Sequence, residues 1–111
     1  MKLAAPILAL ALAGLSATGM AADQGTAAVE EVGKINGLAL ACQQPAIVSR
    51  ARNAVQTTAP KTRAYGEAFE NATNAAYLEQ GKGLPCPDAP TLTKRLSEAE
   101  SRLQAAFKPG Q

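Results

Sequence analysis

The sequence predicts an all-α protein: a small four-helix bundle or helical cluster, held by one disulfide and preceded by a cleaved signal peptide. Three observations carry this. Apolar residues recur at spacings of three and four in four separate segments, with no strand-like alternation. The two cysteines, Cys42 and Cys86, fall at the end of the first of these segments and just before the last. The amino terminus has the three parts of a secretory leader.

Within the leader, Lys2 supplies the positive charge and Leu3 to Leu15 the apolar stretch, interrupted by Pro6. Gly19 and Ala21 satisfy the small-residue rule for cleavage before Ala22; Met20 and Ala22 would move it to Asp23. The apolar stretch is shorter than the ~20 residues a membrane helix needs. Residues 1–22 are therefore read as signal peptide and 23–111 as a single small helical domain, periplasmic or secreted, with no membrane span after cleavage.

The first helix is expected over about 26–43, with Val32, Ile35, Ala39 and Cys42 on one stripe. Gly33 and Gly37 each cost such a helix about 1 kcal/mol against alanine; their compensating use is close approach of a neighbouring helix. Pro45 opens the second helix, proline being favoured in a first turn. There Ile47, Val48, Ala51, Ala54 and Val55 face inward and Arg50, Arg52 and Asn53 mainly outward. Pro60 repeats the device, giving a third helix over 60–80 with a stripe of Tyr65, Phe69, Ala72 and Ala76, stopped by Gly81 and Gly83. Asp88 is the expected N-cap of the fourth, whose Leu92, Leu96, Ala99, Leu103 and Ala106 form the most regular stripe. On its exposed side Lys94 and Glu98, and Glu98 and Arg102, are spaced for i,i+4 pairs.

In an up-down arrangement the end of the first helix and the start of the fourth lie at the same end, so Cys42 and Cys86 can meet. An oxidising compartment and an even cysteine count favour that bond. It closes a loop of about 45 residues, worth about 4 kcal/mol in the chain-entropy model. A domain of this size, with Tyr65, Phe69, Tyr77 and Phe107 as its only aromatics, needs such a tie. A redox-active pair is the alternative; its C-x-x-C spacing is missing, although Cys86 precedes a helix start that stabilises a thiolate.

Composition excludes much chemistry. There is no histidine, and both methionines lie in the leader. Imidazole-based triads, imidazole metal sites and thioether ligands are therefore absent from the domain, and no metal or cofactor is expected. Gly81-Lys82-Gly83 is too short for a phosphate loop and follows a helix. Glu67 and Glu70 share a helix face, a pattern that a glycosidase also needs but that an ordinary solvated face explains. The formal charge of +2 falls to +1 without Lys2, which argues against nucleic acid as a partner. Charge is nonetheless segregated. From Val32 to Gly66 there are basic residues and no acidic one, and Arg50, Arg52, Lys61 and Arg63 surround the turn between the second and third helices. They are a candidate patch for an acidic protein partner or an anionic envelope polymer, weighed against an ordinary solvated surface.

This layout resembles two groups of small periplasmic proteins. One is the HdeA-type acid-stress chaperones, short, helical and crossed by one disulfide between distant cysteines. The other is the Tai type of secretion-system immunity protein; Leu84-Pro85-Cys86-Pro87 before an amphipathic helix ending at Phe107 is similar to that group. The expected function is accordingly non-enzymatic: a protein-binding module of the envelope, in stress or acid protection. The alternative is an inhibitor or immunity protein that neutralises one cognate enzyme or toxin.

Overall fold

The computed structural model describes residues 24–108. The leader expected at 1–22 lies outside the described residues. Four helices and no strand are found among the described residues: α1 (24–41), α2 (Pro45–Thr58), α3 (Arg63–Gln80) and α4 (Ala89–Ala106).

Local chemistry sets most of the boundaries. α1 ends in a Schellman-type turn, in which the Gln44 N–H donates to the Ala39 carbonyl at 2.9 Å and Gln43 takes the left-handed conformation at φ 57°. α2 begins at Pro45, as expected, and ends at Thr58, the next residue, Ala59, being extended before Pro60. α3 starts three residues later than the proline suggested. Thr62, extended at φ −117° and ψ 156°, accepts a hydrogen bond from the Tyr65 N–H through its side chain, so the threonine and not Pro60 starts the helix. Asp88 caps α4 by accepting from the Thr91 N–H at 2.9 Å, with Pro90 in the first turn.

The chain runs up, down, up, down. Arg50 of α2 meets Ser97 and Glu100 of α4, Glu31 of α1 pairs with Arg102 of α4, and Arg52 of α2 pairs with Glu70 of α3. The Cys42–Cys86 disulfide is formed, with a Cα–Cα distance of 5.7 Å, and joins the end of α1 to the segment leading into α4. Arg102 thus reaches across to α1, where the sequence suggested a partner within α4.

The helices are not equivalent neighbours. α2 and α4 pack on each other, whereas neither approaches α3 at backbone packing distance. Val29, Val32 and Ala39 of α1, Ala51 of α2, and Leu92, Leu96, Ala99 and Leu103 of α4 are fully buried. α3 buries only Phe69 and Thr73. It is seated on α1 instead, in parallel register. A Cβ built on Gly33 would lie 2.7 Å from the Phe69 carbonyl oxygen and 2.9 Å from the Ala72 Cβ. One on Gly37 would collide with the Thr73 carbonyl oxygen. Both glycines therefore serve close approach. Asn36 is fully buried in this seam and donates to the Thr73 hydroxyl at 3.1 Å; that hydroxyl lies 2.9 Å from the Phe69 carbonyl and 3.2 Å from that of Gly33. Oδ1 of Asn36 has no partner.

Candidate functional site

The position of α3 creates two surface features. The first is an apolar cap at the disulfide end. Because α1 and α3 run in parallel, their carboxyl-terminal turns lie together, and Leu40 of α1 and Tyr77 of α3 continue the Asn36–Thr73 seam by one turn. Leu78 follows on α3, 68% exposed, and Leu84 sits in the loop that carries Cys86, 50% exposed. These four are the exposed large apolar side chains among the described residues, and all lie at one end. The loop is held in place. Gln80 Nε2 donates to the carbonyls of Leu84 at 2.7 Å and Pro85 at 3.1 Å, and the disulfide ties the next residue to α1. Lys82 turns back to Glu79 at 3.1 Å.

The second feature is a groove of about 690 Å³ where α3 and α4 stand apart over α1. Its floor is Ile35 and Leu38 of α1 with Ala72, Ala75 and Ala76 of α3. Its rims are charged: Glu31 and Lys34 on α1, Glu79 on α3, and Arg95, Glu98 and Arg102 on α4.

Of the four basic residues singled out by the sequence, Arg50 and Arg52 lie on α2, Lys61 in the connection after it and Arg63 at the start of α3. Arg50 faces α4, where Nη2 lies 2.6 Å and Nε 3.0 Å from the two carboxylate oxygens of Glu100. That two-pronged hydrogen bond holds its guanidinium proton more tightly than usual. Arg52 turns to the other side, 3.6 Å from Glu70 and 5.7 Å from the centre of the Phe69 ring. Arg63 lines the groove between α2 and α3 together with Arg52, Glu67 and Glu70. Lys61 is exposed in the connection between those helices. Two of the four thus have acidic partners, while Lys61 and Arg63 have no ion-pair partner among the described residues.

Both cysteines are in the disulfide, so no free thiol is present among the described residues. No cluster of metal-ligating side chains and no helix long and apolar enough to cross a membrane occurs among the described residues. Asp88, the N-cap of α4, is altered by its surroundings. Hydrogen bonding from Thr91, from its side chain first and its backbone N–H second, holds it below the ordinary carboxylate range.

The cap and the groove were not visible in the sequence. Tyr77, Leu78 and Leu84 have no shared periodicity, and Leu40 precedes the helix end without marking it. Comparison with protein-family models, with curated proteins and with solved structures gives no match.

Proposed function

We propose that this protein is an exported, non-enzymatic protein-binding module that holds apolar segments of other proteins, in the manner of an envelope-stress chaperone. The apolar cap carries this reading. Single exposed leucines are ordinary, but large apolar side chains gathered at one end are a mark of protein–protein contact. The cap is pre-organised by the disulfide and Gln80, which lowers the ordering cost of binding. Export is supported by the disulfide itself, a bond of oxidising compartments.

Acid would extend the same surface. Ion pairs join α1 to α4, α2 to α4 and α2 to α3, and each needs a glutamate carboxylate. Loosening of these ties in acid would leave the covalent one in place and uncover more apolar surface. The test is suppression of aggregation of an acid-sensitive client by the oxidised domain, at pH 7 and pH 2. Protection is expected at both, larger in acid, and reduced by Leu78→Glu with Leu84→Glu. Absence of protection at either pH would sink the reading.

A second reading, an inhibitor or immunity protein for one partner, is favoured by Lys61 and Arg63, exposed at the opposite end of α3 from the cap. A stoichiometric partner whose capture is lost on charge reversal at both positions would support it.

A further inference from the structure

We infer that the groove between α3 and α4 is the seat of a short amphipathic helix from a partner protein, with an acidic flank turned toward Arg95 and Lys34. This deepens the protein-binding reading and rests on it, but uses a different surface from the cap.

The groove exists because α3 lies on α1 and not beside α4. Its floor is crossed by α1, and its walls are two helices whose backbones stand apart, an arrangement that leaves the space of a missing neighbour. Lining residues recur along each wall at helical spacing: Ile35 and Leu38 on α1, Ala72, Ala75 and Ala76 on α3, and Arg95, Glu98 and Arg102 on α4. Two turns are lined in this way, about 11 Å of helix axis. The alanines let an incoming backbone approach closely. An apolar floor between charged rims is the surface that one face of an amphipathic helix fits, its apolar residues at i, i+3, i+4 and i+7. The 690 Å³ volume falls within the range of sites that bury their ligand well.

Charge selects the occupant's flank. Glu31 is held by Arg102, and Glu79 by Lys82. Lys34, Arg95 and Glu98 have no ion-pair partner among the described residues, two positive charges against one negative. A bare acyl chain would cover the floor and leave these rim charges unanswered. A helix with glutamates beside its apolar stripe answers Lys34 and Arg95, and complementary charge of this kind fixes register and orientation.

The test uses the oxidised domain and four synthetic peptides of about 14 residues, roughly four helical turns. One carries a leucine–alanine stripe flanked by glutamates. The second has lysines in place of the glutamates, the third a central proline, and the fourth the first composition scrambled. Binding is followed by anisotropy and mapped by amide chemical shifts. The glutamate-flanked helix is expected to bind at least roughly tenfold more tightly than the other three. Its shifts should fall on α1, α3 and α4 around Ile35, Ala75 and Arg95, and not on the cap. Arg95→Glu should invert the preference between glutamate and lysine flanks, and Ala75→Trp should abolish binding by filling the floor. Equal binding of the helical and proline peptides, equal binding of the two flanks, or shifts confined to the cap would overturn the proposal. So would a groove occupied by a second copy, seen as a dimer in sedimentation whose contact shifts lie on the same residues. Leu78→Glu with Leu84→Glu should leave peptide binding unchanged while lowering client protection, so failure of the groove and failure of the wider reading are distinguishable.

Discussion

The two sides of α1 are built by different means. Toward α2 and α4 it presents Val29, Val32 and Ala39, which share one buried core with three leucines of α4 and the alanines of α2. Toward α3 it presents Gly33, Asn36 and Gly37, which meet backbone carbonyls, Ala72, Ala76 and Thr73. The first side gains free energy from burying branched apolar side chains, about 1.5–3 kcal/mol for each one fully buried. The second buries little side chain and depends on close fit, with an orphaned buried amide oxygen on Asn36 as a local cost. α3 is consequently the helix most easily separated from the rest. It is also the helix that carries part of the cap and one wall of the groove. The surfaces proposed for binding thus lie where the fewest side chains are buried.

The largest perturbation removes what both sides share. The Cys42–Cys86 loop encloses α2 and α3, and replacing both cysteines with serine should cost about 4 kcal/mol of unfolding free energy, read by urea denaturation. A loss below about 1 kcal/mol would mean that helix packing alone holds the domain. On the strong side of α1, Leu96→Ala should cost about 3 kcal/mol and lower amide protection throughout the α1–α2–α4 core. On the weak side, Gly37→Ala should cost about 2 kcal/mol by forcing a methyl against the Thr73 carbonyl. Hydrogen exchange separates the two variants. Gly37→Ala should strip protection from α3 while α1, α2 and α4 keep theirs; uniform loss in both would erase the distinction.

A smaller change sharpens it in the opposite direction. Gly66 lies in α3 with nothing near the position of its Cβ. Gly66→Ala should stabilise α3 by about 0.5–1 kcal/mol through helix propensity, with a matching gain in its protection. The smallest effect concerns pH. The Asp88 carboxyl is held below its unfolded value, so its contribution is present above about pH 3.9 and is lost as pH falls through the lower folded value. Asp88→Asn keeps a side chain able to cap α4 and removes this titration. Between pH 4 and pH 2 the variant should therefore lose less stability than the natural protein. Identical slopes would show that the cap is indifferent to its charge.

Much of the fold was legible along the chain. The stripe of Leu92, Leu96, Ala99 and Leu103 became the buried face of α4, Pro45 opened α2, and Asp88 capped α4. These succeed because periodicity and capping are local, decided within one or two turns. The start of α3 was displaced because two local signals competed, and the hydroxyl of Thr62 satisfies a backbone N–H where Pro60 only fixes a dihedral angle. Thr73 and Asn36 were not legible as buried, since a polar residue is hidden only when a partner on another helix accepts it. Arg50 and Arg52 turn apart for a related reason. Their spacing on α2 points Arg50 and Arg52 to different neighbours, and those neighbours, Glu100 and Glu70, come from elsewhere in the chain.

Four helix-forming segments, the Asp88 cap, the inward stripe of α4 and a cysteine pair placed to close across one end are encoded locally, because each depends on residues within a few positions or on the chain's direction. That α3 rests on α1 through two glycines, and hence that a cap and a groove exist at all, comes from the packing of whole helices. Both surfaces are gaps between helices, and a gap depends on interaxial distances that side chains set jointly, so no single segment encodes it.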